Sequence, residues 1–132
     1  MNSPIFFRAL LLFTFLMGFA RANVPPREHR IYSNAQYNQE GGDLLGTEVE
    51  FTISENRVDG RLKIYEGGCA DPIPIAGSLA GEKLHVSGQS EAYGRIEITG
   101  TVRGNGLNGW LRLEKAQKSE RIRLKKIALP HC

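Results

Sequence analysis

From Thr47 onward apolar residues return at every second position, and a period of two confines the chain to β-strands. In Thr47 to Ser54, Val49, Phe51 and Ile53 share one face, while Glu48, Glu50, Thr52 and Ser54 take the other. The alternation resumes at Val58, Leu62 and Ile64, then at Ile73, Ile75 and Leu79, and at Leu84 and Val86. It continues through Ile96, Ile98 and Val102, through Leu107, Leu111 and Leu113, and through Ile122 and Leu124, with a register change before Ile127. Short turns such as Glu55-Asn56, Gly81-Glu82 and Gly104-Asn105-Gly106 separate the runs. No segment carries a helical stripe. About seven antiparallel strands in a meander are expected, and the fold class is all-β.

Within those strands a unit recurs: apolar, any residue, Gly, any residue, apolar. It appears at Val58-Asp-Gly60-Arg-Leu62, Ile75-Ala-Gly77-Ser-Leu79, Ile98-Thr-Gly100-Thr-Val102 and Leu107-Asn-Gly109-Trp-Leu111. Each glycine falls on the inward parity. Glycine weakens a strand unless the sheet bends or a backbone approaches closely there. Its repetition points to a small closed or strongly coiled barrel, in which side chains at those points would collide.

Two segments precede the alternation. Residues 1–22 read as a secretory signal peptide: Arg8, an apolar run from Ala9 to Ala20, and the cleavage site Ala20-Arg21-Ala22. The run falls short of the ~20 residues a bilayer-spanning helix takes. Residues 23–46 hold Pro25-Pro26, Gly41-Gly42 and several amides. They read as a polar arm with at most one short strand, around Arg30 to Tyr32, leaving 47–132 as the single β-domain. The expected location is the periplasm or the extracellular space.

Export bears on the cysteines. Cys69 and Cys132 are the only pair, and an oxidising compartment would let them form a disulfide. The alternative, a metal held by Cys69, His131 and Cys132, lacks the four closely spaced ligands that zinc takes. Neither a metal nor a cofactor is expected.

Catalytic patterns are sparse. Gly88-Gln89-Ser90-Glu91-Ala92 lacks the second glycine of a nucleophile elbow. Glu48 and Glu50 could pose as paired carboxylates, but their alternation with Val49 and Phe51 reads as the wet face of a strand. His85 reads as a solvated sheet residue. The chain is therefore expected not to be an enzyme.

Three features point to binding. The loop EGGCADPIP, from Glu66 to Pro74, joins two glycines, two prolines and the stapling Cys69, and nominates Asp71 and Ile73 as contacts. Tyr65, Trp110 and Arg112 fall on outward parity and are of the types that anchor interfaces. Arg112 to Lys126 carries seven basic residues against two acidic ones, while 23–111 carries eight against twelve. Arg121 and Arg123 lie in this basic stripe, which suits an anionic glycan, an anionic lipid surface or an acidic protein. Export makes nucleic acid a poor partner. The expected function is a non-catalytic binding module, an inhibitor or immunity-type protein acting on a secreted or periplasmic protein. A small lipocalin-like carrier of an apolar ligand is the second reading and a hydrolase the third. The likeness to inhibitors, immunity proteins and lipocalin-like carriers is one of class only, small exported β-barrels with one disulfide.

Overall fold

A computed structural model describes residues 26–132. The signal-peptide reading, residues 1–22, lies outside the described residues. Nine strands form: β1 (Arg27–Ser33), β2 (Gln36–Tyr37), β3 (Leu44–Ser54), β4 (Arg57–Gly67), β5 (Ile73–Ala80), β6 (Lys83–Ser90), β7 (Gly94–Arg103), β8 (Gly106–Leu113) and β9 (Lys118–Ile127). From β3 to β9 each strand pairs antiparallel with the next. β1 closes the ring by pairing with β3 on one side and β9 on the other. The result is an eight-stranded antiparallel barrel with β2 as an extra strand on β3.

The expected inward residues fill the interior. Val49, Phe51, Val58, Leu62, Ile96, Ile98, Leu107, Leu111, Ile122 and Leu124 are buried in one cluster. An eight-stranded barrel is just wide enough for such side chains to meet.

The barrel takes in part of the segment read as an arm. Tyr32 is fully buried against Phe51, with ring centroids 6.0 Å apart. The residues of β1 on Tyr32's parity are Glu28 and Arg30, opposite Ile53 and Phe51. Arg30 donates to both carboxylate oxygens of Glu28, at 2.7 and 2.9 Å, and to the Tyr32 hydroxyl. Charges that satisfy one another thus occupy positions where an apolar alternation would have announced a strand.

The strand glycines keep inward parity, but the reason differs from a collision across the interior. A Cβ at Gly60 would lie 2.0 Å from the carbonyl oxygen of Glu50, at Gly77 1.9 Å from that of His85, and at Gly109 2.0 Å from that of Thr99. The obstacle is the backbone of the adjacent strand. Gly100 and Gly109 face each other across β7 and β8. Tight coiling brings neighbouring backbones too close for a side chain between them.

Candidate functional site

Glu48 lies on the outward face of β3 but is only 2% exposed. The segment after β9 covers it. His131 donates from its backbone N–H toward both Glu48 oxygens, and its ring Nδ1 lies 2.6 Å from Oε1. The Tyr65 hydroxyl donates to Oε2 at 2.8 Å, and Ser33 adds a further side-chain bond. Lys63 holds the same segment by donating to the main-chain oxygen of Cys132 at 2.7 Å. Cys132 is joined to Cys69. Glu48 is therefore not part of a wet face. Tyr65, expected to be an exposed contact, is 2% exposed and packs with Ala35 and Leu44 in a small second core outside the barrel.

Burial pushes the Glu48 carboxyl up, but the hydrogen bonds from His131, Tyr65 and Ser33 outweigh it and hold the carboxyl below its ordinary value. Burial, reinforced by the bond to Glu48, pushes the Tyr65 phenol up.

The anchored tail leads directly to the stapled loop. That loop and the β6–β7 turn form the two walls of a groove of about 640 Å3, reached by Asp71, Pro72, Ile73, Pro74 and Tyr93. The Tyr93 hydroxyl ties the walls together by donating to Glu66 at 2.8 Å. Burial and this bond push the Tyr93 phenol up to about 12. Glu66, Asp71 and Glu91 line the groove, and no basic residue does. Asp71 is exposed, whereas Ile73 is 9% exposed and pairs with Leu62. Ile73 belongs to the core and offers the groove only its edge.

The other nominated residues meet on the outer side of β8 and β9. Trp110 is 52% exposed and stands directly opposite Arg121. Arg123 is opposite Asn108 and Arg112 opposite Ser119, so the three arginines occupy outward register positions next to Trp110 on β8 and β9. Arg112 also lines a cleft of about 460 Å3.

No family model, no curated protein and no solved structure matches the chain. The reading of its sites rests on their own chemistry. Among the described residues no group of three His, Cys, Asp or Glu side chains is placed to hold a metal ion. Glu48, His131 and Tyr65 are types used in acid–base chemistry, but neither the groove nor the cleft is lined by them. Their bonds are spent on one another and on the tail. Sequence reading missed this cluster because residues 83 positions apart share no local pattern. A terminal His beside a stapled Cys, with an acid on the first regular strand, was the only signal available.

Proposed function

We propose that the protein is an exported, non-catalytic binding module that grips a basic segment of a partner protein in its stapled groove, as an inhibitor or immunity-type protein would. The observation that carries this reading is the groove itself. One wall is fixed at Cys69 by the disulfide, the tail behind it is fixed by Glu48 and Lys63, and both walls are tied by Tyr93 and Glu66. A wall already ordered loses little entropy when a partner docks. Three carboxylates without a base among the lining residues call for a cationic partner surface. The disulfide fits an oxidising compartment.

The packed barrel interior weighs against a carrier, whose ligand would need that space. The burial of Glu48, whose bonds are taken up by Tyr65 and His131, weighs against a hydrolase.

The test is affinity capture from the exported fraction of the native host with the wild-type domain and with Asp71→Lys. A protein recovered by the wild type should lose at least about tenfold in affinity for Asp71→Lys, with melting unchanged. Equal affinity would overturn the groove reading. An apolar small molecule found by native mass spectrometry on the natural protein would instead favour the carrier.

A further inference from the structure

We propose that the outer face of β8 and β9, together with the cleft at its end, binds an anionic polysaccharide, with Trp110 as the stacking platform and Arg112, Arg121 and Arg123 as its anion contacts. This surface is separate from the stapled groove, and the two readings stand or fall independently.

The argument begins with the sheet register. Thr99, Trp110 and Arg121 form one outward row across β7, β8 and β9, and Glu97, Arg112 and Ser119 form the next row. The second row lines the cleft, so indole and cleft are adjacent and Arg112 belongs to both. On β9, Arg121, Arg123 and Lys125 follow at alternate positions, roughly 6.7 Å apart at ordinary strand rise. The face is thus a linear row of cations beside one exposed aromatic ring.

These cations are uncommitted. Arg30, Arg57, Arg61 and Arg103 each lie within ion-pair distance of a carboxylate. Among the described residues, Arg112, Arg121 and Arg123 do not. Guanidinium groups free to make paired hydrogen bonds match carboxylate and sulfate oxygens.

The remaining chemistry selects a glycan over other polyanions. A protein interface is organised around a desolvated apolar centre. Here the neighbours of Trp110 in the ladder are Thr99, Asn108, Arg112 and Arg121, all polar. Strand β8, which carries Trp110, is hydrogen-bonded along both edges, by β7 and by β9, so no peptide strand can be added directly beside the indole. A sugar ring laid on the indole, with its acidic groups on the flanking arginines, uses what the face offers. The cleft of about 460 Å3, where Arg95, Arg112 and Lys118 outnumber Glu97 and Glu114, lies within the size range of small-ligand sites and can take the adjoining sugar unit.

Trp110 is the only tryptophan in the chain, so its fluorescence reports on this face alone. The experiment titrates the folded domain with a heparin hexasaccharide and an oligogalacturonate. Dextran, polyglutamate and phosphatidylglycerol vesicles serve as comparisons. The expected result is saturable binding of at least one acidic oligosaccharide with a change in Trp110 emission, weakening as salt rises, and no response to dextran. Trp110→Ala should lose about tenfold in affinity and Trp110→Tyr much less. Arg121→Ala should weaken binding and flatten the salt dependence. These variants should melt as the wild type does. No binding of either acidic oligosaccharide would overturn the proposal. So would equal affinity of Trp110→Ala, or equal or tighter binding of polyglutamate or the vesicles.

Discussion

Glu48 and His131, 83 positions apart in the chain, meet through a 2.6 Å contact beneath the tail that ends at the disulfide. One carboxylate on the outside of a barrel thereby organises three pieces of chain: β3, β4 through Tyr65, and the tail. The stapled groove inherits its order from that arrangement.

The Glu48 bonds favour its ionised form in the folded state, below the ordinary value of 4.5. Their contribution is complete above the unfolded value and is lost as pH falls through the lower folded one. Wild-type melting should therefore drop as pH is lowered below about 4.5. Glu48→Gln should be about 1–3 kcal/mol less stable at neutral pH and should respond less to acid. Thermal unfolding across pH checks this; a variant as acid-sensitive as the wild type would assign the effect elsewhere.

Reduction of Cys69–Cys132 frees a loop spanning a sequence separation of 63. The chain-entropy model gives a loss of about 4 kcal/mol. Amide exchange should rise most at Gly67 to Asp71 and from Ala128 to His131, through local opening, and less in β6 to β8, where only the lowered global stability is felt. Uniform exchange throughout the barrel would mean that the staple holds the whole fold and not one flank.

Gly60 and Gly68 make a matched pair. A Cβ at Gly60 meets the Glu50 carbonyl, whereas nothing lies within 4 Å of one at Gly68. Gly60→Ala should cost about 1–3 kcal/mol. Gly68→Ala should stay within about 0.5 kcal/mol of wild type. Equal melting of the two variants would contradict the close backbone approach.

The Tyr93 phenol is raised from 10 to about 12, so the neutral form is the one the fold favours. Its tie to Glu66 stabilises fully below pH 10 and is lost as pH climbs toward 12. Tyr93→Phe should lose no more than about 1 kcal/mol at neutral pH, and its deficit should narrow in alkali. Melting curves of both proteins from neutral to alkaline pH measure that difference.

Alternation from Val49 to Leu124 was enough to establish strands, their inward faces and a curled sheet. Burial of every second side chain is a local demand that each strand meets alone. Two cysteines and one possible pairing settled the staple in the same way. Strand β1 was mostly hidden because Glu28 and Arg30 occupy its inward positions and satisfy each other there. Tyr65 and Glu48 looked exposed because strand parity distinguishes two faces but says nothing of what later covers the outer one. The return of residues 128–132 over β3 and β4, and the packing of Ala35 and Leu44 on Tyr65, decided that. Likewise, Trp110 and Arg121 became neighbours only through the β8–β9 register. Periodicity is written residue by residue, whereas burial of an outer face and proximity between strands depend on where distant chain finally lies.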